Sequence, residues 1–208
     1  MNKIFLAALA AGMLATPAQA QQPLPFENSL MQLRHKVMAV RKKQIKSNNQ
    51  AAKRDLERLA RDLRSYGWDV RRMRTKLSDL RRRAQRMSRS QPGSSDPFFR
   101  NDLRRFTGDL RDLKRDLDRA DRKLKTVSRS VTSKDPELVR PARDVDRYAR
   151  QLQSDTNWLD NDATWASHDI RRAGFSMEAW DIDRDAGDVD RTARDMEREA
   201  RRLLQKVS

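Results

Sequence analysis

The stretch "LERLARDLRSYGWDVRRMRTKLSDLRRRAQRM", residues 56–87, places Leu56, Leu59, Leu63, Tyr66, Val70, Met73, Leu77, Leu80, Ala84 and Met87 in alternating steps of three and four. Those steps keep one narrow apolar stripe on one side of a 3.6-residue helix for more than four heptads, as in coiled-coil seams. The register decides between two readings. With 37% of its 208 residues charged, the chain could be disordered, because too little apolar surface fails to offset the entropy of ordering. A disordered polar chain would not sustain this spacing.

Working outward, Phe99, Leu103, Phe106, Leu110, Leu113, Leu117, Ala120, Leu124, Val127 and Val131 repeat the pattern, and Val145, Tyr148, Leu152 and Leu159 continue it. So do Val189, Ala193, Met196, Ala200, Leu203 and Val207, while Leu30, Leu33, Val37 and Val40 begin a shorter seam. Prolines 23, 25, 92, 97, 136 and 141 lie outside the longest periodic runs. Asp96-Pro97 and Asp135-Pro136 read as N-caps followed by proline at the first helical position, where its missing N–H costs nothing. Pro141 is too deep for a helix begun at Pro136, so a kink or restart is expected there. Arg171-Arg172-Ala173-Gly174 reads as a helix end with glycine past the cap, and Ser176 as the next cap.

At residues 46–50 the Leu30/Val37 phase does not carry on into Leu56. We read a tight turn there, although a stutter within one long helix would produce the same shift. The expected fold is all-α: an elongated antiparallel bundle of about five helices, near 27–47, 51–90, 97–131, 140–173 and 177–206, with coiled-coil-like heptad seams. Short connections are expected to make neighbours antiparallel.

The N-terminus sets Lys3 before an apolar run from Ile4 to Ala15, and small residues Ala18 and Ala20 form a cleavage site. This is the pattern of a secretory signal peptide, residues 1–20, followed by a flexible leader 21–26 and one helical domain 27–208. The apolar run is shorter than the roughly 20 residues a spanning helix needs, so no transmembrane segment is expected after cleavage. The expected location is periplasmic or secreted. The chain has no cysteine, hence no disulfide and no lipid-attachable thiol.

Residues 28–91 hold 20 Lys and Arg against 5 Asp and Glu, whereas 155–190 hold 10 acids against 3 arginines. Either the two regions neutralise each other, or the first forms a basic face. That face would comprise Arg41, Lys42, Lys43, Lys46, Lys53, Arg54, Arg71, Arg72, Arg74, Arg81, Arg82, Arg83 and Arg86, binding phosphates or carboxylates by counterion release. No sequence-reading motif accompanies it.

"DVDRYARQL" (144–152) and "DVDRTARDM" (188–196) match at six of nine positions. Asp146/Arg150 and Asp190/Arg194 are acid-before-base pairs four apart, read as solvated outer faces, as are Glu57/Arg61, Asp79/Arg83, Asp118/Arg122, Asp121/Lys125 and Glu197/Arg201, and Asp55/Arg58 three apart. In "DIDRDAGDVD" (181–190), Asp181, Asp183 and Asp185 fit calcium-loop positions, but Ala186 and Thr192 stand where glycine and glutamate belong. A helix start enriched in Asp explains the stretch better. Trp158, Trp165, Phe175 and Trp180, with Tyr66 and Trp68 flanking Gly67, read first as packing at one end of the bundle. If exposed, Trp158, Trp165 and Trp180 are candidate contact residues.

Only His35 and His168 are present, and no nucleophile motif occurs, so no catalytic residue, cofactor or metal is expected. In being small, cysteine-free, basic and helical, the chain is similar to the Spy-like periplasmic chaperones. Their L-T-x-x-Q motif does not occur here, and no family follows. The functional expectation is a non-enzymatic helical interaction protein, an envelope scaffold or chaperone-like binder. Its partner would be another protein or client, or a second copy. The alternative is a nonspecific binder of anionic envelope polymers or nucleic acid through residues 28–91.

Overall fold

The computed structural model describes residues 25–90, 96–131 and 134–208, with side chains from Met31 onward. The expected signal peptide, most of the expected leader and the Pro92-Gly93-Ser94-Ser95 connection lie outside the described residues. Four helices make up the described regular structure: α1 (Pro25–Ser90), α2 (Pro97–Ser130), α3 (Pro136–Arg172) and α4 (Ser176–Val207). The chain divides into two units, Met1–Ile45 and Lys46–Ser208.

The turn expected at residues 46–50 is not there: these residues are helical and α1 runs through them. The reason is a second register that the Leu30/Val37 seam obscures. Met31, Met38, Ile45, Ala52, Leu59, Tyr66, Met73, Leu80 and Met87 recur every seven residues without interruption. With no glycine or proline in 46–50, only the mild helix reluctance of Ser47, Asn48 and Asn49 opposes the helix.

In the first unit, the described residues 31–45 are helical and every one is exposed. The second unit has a continuous apolar core, with Leu56, Leu63, Val70, Leu77 and Ala84 of α1 meeting the inner faces of the other three helices. Removing a leucine of this kind from water contributes roughly 1.5–3 kcal/mol.

The helix ends follow the expected chemistry at three places. Asp96 accepts from the N–H groups of Phe98 and Phe99 at 2.9 and 3.2 Å, and Asp135 from that of Glu137 at 2.9 Å. After α3, Gly174 adopts φ 96°. There its N–H donates to Arg171 O at 2.9 Å and that of Phe175 to Ile170 O at 3.2 Å, a Schellman closure that a Cβ would strain. One expectation fails: Ser176 caps nothing, since Phe175 is the N-cap of α4 and makes no side-chain bond. Of the kink or restart expected at Pro141, the restart is absent: α3 begins at Pro136 and encloses Pro141 as its sixth residue. The Glu137 carbonyl therefore lacks its usual donor four residues ahead, one lost bond that the burial of Pro141 and Ala142 offsets.

Successive helices alternate in direction as expected, but the order around the bundle sets like-directed helices side by side. Polar contacts from α1 to α2 run in opposite senses, Lys76 to Asp109 and Arg83 to Asp102. So do those from α3 to α4, Thr156 to Asp190 and Ser167 to the Ala179 carbonyl. Between α1 and α3, however, Arg71, Arg74 and Arg81 meet Asp155, Asp162 and Asp169 at separations of 84 and 88 residues, which is a parallel pairing. Helices α2 and α4 are parallel too, with Arg111 on Asp185 and Lys206 on the Ser128 carbonyl, 74 and 78 apart. The order around the bundle is therefore α1, α2, α4, α3, and two of its four neighbouring pairs are parallel. The α2–α3 connection spans the diagonal. Its peptide steps from Val131 to Pro136 reach about 17 Å, more than the roughly 11–14 Å diagonal of helices 8–10 Å apart.

Candidate functional site

The thirteen candidate cations separate into groups once the helices are placed. Lys53, Arg71, Arg74, Arg81 and Arg83 face carboxylates of neighbouring helices: Glu137 at 3.3 Å, Asp155 at 3.0 Å, Asp162 at 2.9 Å, Asp169 at 2.7 Å and Asp102 at 2.6 Å. Arg82 stands 3.9 Å from Asp79 on its own helix. Arg41, Lys42, Lys43, Lys46, Arg54, Arg72 and Arg86 make no ion pair among the described residues, and all seven are exposed.

Three of the paired cations form a ladder. Asp155, Asp162 and Asp169 recur every seven residues on α3, so they line one flank of the helix toward α1. At its last rung Asp169 also accepts from Gln85 Nε2 at 2.8 Å. Burial alone would push the Asp169 carboxyl up, but hydrogen bonds from Arg81 and Gln85, with the Arg81 charge, outweigh it and hold the group below its ordinary value. Asp169 is thus committed to α1, while His168 beside it is exposed.

The repeat that opens at Asp144 and again at Asp188 holds the largest departure from expectation. Asp146 and Asp190 are not on solvated faces; each is 2% exposed. Both sit on the α3/α4 contact and bind the arginine four residues on, Arg150 and Arg194, whose long side chains reach out to water. Asp190 has a second partner, the Thr156 hydroxyl at 3.2 Å, whereas Asp146 Oδ1 has none. Nearby, Asp160 has its carboxyl pushed up by burial and then by the charges of Asp190 and Asp183, against a smaller pull from Arg194. Gly187 faces it: a Cβ there would come within 3.4 Å of Asp160 Oδ1.

Asp185, also buried, accepts from Arg111 Nε of α2 at 2.7 Å and Arg184 Nη2 at 2.8 Å. The 181–190 stretch lies wholly within α4, so its aspartates serve helix contacts and not a calcium loop. Among the described residues no group of His, Asp or Glu is placed to hold a metal ion. Of the other expected helical pairs, Lys125 to Asp121 and Arg201 to Glu197 form, at 2.6 and 2.5 Å. Arg83 leaves Asp79 for Asp102, and Asp55 meets Lys123 of α2 at 3.6 Å.

The tryptophans do not pack the end of the bundle as expected. Trp68, Trp158, Trp165 and Trp180 are 63, 54, 63 and 55% exposed. Of that set only Phe175 is a core residue, edge-on to Phe99 at 5.1 Å between centroids. Trp158 lies on the α1 side of α3, with the Arg74 guanidinium 5.7 Å from its ring centre, and Arg71 stands 5.3 Å from that of Trp68. Trp180 is apart from these on α4, under Arg184 at 4.5 Å.

The first unit contributes a different surface. Met31, Leu33, Val37, Met38, Val40 and Ile45 are all exposed, between 37 and 65%. Arg34, Lys36, Arg41, Lys42 and Lys43 share the same fifteen residues, which contain no acid. The shorter seam expected from Leu33, Val37 and Val40 is exposed among the described residues.

The fold and these surfaces define a class, an all-α four-helix bundle, and nothing narrower. No family model, no characterised protein and no solved structure matches the chain. Among the described residues no helix is long and apolar enough to cross a membrane.

Proposed function

We propose that the chain is a non-catalytic interaction protein that acts outside the cytoplasm and binds an anionic amphiphile, lipopolysaccharide or an anionic lipid surface, through residues 31–45. The observation that carries this reading is the exposure of six large apolar side chains on a helical stretch holding five cations and no acid. A basic amphipathic helix of this kind gains from both apolar burial and attraction to anionic headgroups. A purely polar polyanion would meet the cations and leave the apolar side chains wet. At 100° per residue, Leu33, Val37 and Val40 form one stripe and Met31, Met38 and Ile45 another, with Arg34 and Arg41 between them. The stems of those arginines can lie along the apolar surface while their heads reach phosphate.

The bundle cations serve this function less well, because Lys53, Arg71, Arg74, Arg81 and Arg83 are already compensated. The test is a titration of the full chain against lipopolysaccharide, anionic vesicles and heparin over a salt series. At about 1 kcal/mol per cation near an anionic surface, Arg41→Gln/Lys42→Gln/Lys43→Gln weakens vesicle binding about a hundredfold. Arg71→Gln/Arg74→Gln/Arg81→Gln lowers stability and leaves that affinity in place. The reading fails if the first variant binds as well as the parent. Met31→Ser/Met38→Ser binding no worse would leave the plain polyanion reading instead.

A further inference from the structure

A second surface, independent of residues 31–45, lies in the bundle between the parallel helices α1 and α3. All four indoles of the chain point outward, which is costly for side chains that bury 150–250 Å² each when packed. Three of them follow one groove. Trp68 stands on its α1 side and Trp158 on its α3 side, and the seven-residue spacing puts Trp165 on the same flank of α3 as Trp158. The floor is the ion-pair ladder of Arg71, Arg74 and Arg81 on Asp155, Asp162 and Asp169. Arg71 and Arg74 lie against the rings of Trp68 and Trp158, so two indoles are oriented before any ligand arrives. Gly67 is buried at this contact, where a Cβ would make ordinary van der Waals contact with Asp155 Oδ2 at 3.6 Å. Two depressions of about 410 Å³ each open along the groove. One is bordered by Trp68, Arg64, Tyr148 and Gln151, the other by Thr75, Ser78, Arg82 and Asp162.

We propose that this groove binds an extended, uncharged β-linked polysaccharide stacked on Trp68, Trp158 and Trp165. Pyranose rings present flat C–H faces to indoles and a rim of hydroxyls to polar side chains, and the groove offers both. Trp158 and Trp165, seven residues apart on one helix, are separated by about 10.5 Å along its axis. That is the length of a disaccharide repeat in an extended β-linked polymer, in which alternate sugars present the same face. Charge selects the ligand class. Each floor cation is already paired, so the groove does not call for an anion as a nucleic acid would. A lipid surface would bury the ladder without replacing its solvation.

The test is depletion of the full chain from solution by insoluble chitin and by microcrystalline cellulose, at low and high salt. Binding to one of them that persists at high salt is expected, which separates this surface from the salt-sensitive one at residues 31–45. Trp158→Ala/Trp165→Ala should weaken it about a hundredfold, roughly tenfold for each aromatic anchor. Trp180→Ala should leave it unchanged, and Trp158→Tyr/Trp165→Tyr should retain most of it, which excludes a folding defect. The proposal is overturned by absence of binding to both polymers, by elution with salt, or by equal binding of the double alanine variant. Loss of a dimer in that variant without loss of polysaccharide binding would equally overturn it, as self-association through the indoles.

Discussion

Replacing Thr156 by Val tests the claim that the aspartates of the repeated motif are buried and hydrogen-bonded. Thr156 is fully buried, and its hydroxyl, which also reaches the Gln153 carbonyl at 3.0 Å, is the second partner of Asp190, whose other oxygen holds Arg194. Valine keeps the shape and removes the donor, leaving Asp190 Oδ1 in the condition of Asp146 Oδ1, buried without a partner. Hydrogen bonds to charged groups contribute about 1.5–3 kcal/mol. At 3.2 Å this one is long for an O–H···O contact, and Thr156 shares its one proton with the Gln153 carbonyl at 3.0 Å, so the lower end applies, about 1.5 kcal/mol. For a chain of this size that is a fall in Tm of roughly 3–6 °C, readable by calorimetry and as a shift of the urea midpoint at constant m. The complementary change is Ala200→Ser. Since Thr156 meets Asp190 and Ser167 meets Ala179, the antiparallel register sets Ala200 opposite Asp146. A hydroxyl there should stabilise by about 1 kcal/mol. A Thr156→Val variant that melts within a degree of the parent refutes the reasoning, because Asp190 would then be satisfied by solvent and would not be buried as described.

Acid titration gives two further outcomes with opposite signs. Asp169 is held below its ordinary carboxyl value in the folded chain, so its contribution is complete above the unfolded value and is lost as pH falls through the depressed folded one. Arg81→Gln should flatten that acid loss in urea melts taken at successive pH values. Asp160 is pushed the other way, chiefly by burial. The folded form takes up its proton before the unfolded form does, and stability from this group rises as pH falls from neutrality through the raised value. Asp160→Asn should stabilise the chain at pH 7 and abolish that rise; a destabilised variant would mean the charged form is used.

Helix existence was legible because seam registers are long and redundant. Topology was not, because a connector of a few residues reaches the neighbouring or the diagonal position equally well. What distinguishes the two is which flanks are complementary. In retrospect that information was present in the seven-residue spacing of Asp155, Asp162 and Asp169 beside the arginines of α1. The false turn at 46–50 has a similar origin. Two apolar stripes run along residues 30–45, and the one ending at Val40 is out of phase with Leu56, whereas Met31, Met38 and Ile45 are in phase with Ala52 and Leu59. A sequence reading that follows one stripe sees a break where the other continues.

The same ambiguity governed the candidate site. Net charge over residues 28–91 suggested one basic face, but charge counted along a sequence ignores what each flank meets in three dimensions. Cations on the α3 flank of α1 become internal structure, while those at 41–43, on a stretch where every described residue is exposed, keep their charge available. The acid-before-base pairs misled for a related reason: a spacing of four suits an exposed pair, and it suits equally a buried aspartate whose arginine reaches outward past it. Short aspartate on the inner side and long arginine on the outer is the arrangement that lets a highly charged sequence fill a helix contact without stranding a cation. It also explains why the tryptophans are outside. Alanine, glycine and aspartate occupy close-contact positions on α3 and α4, where an indole would force the helices apart. Indoles displaced from the interior without a partner would be a liability, and three of them along one groove, two of them a heptad apart, is the pattern that a bound polymer would account for.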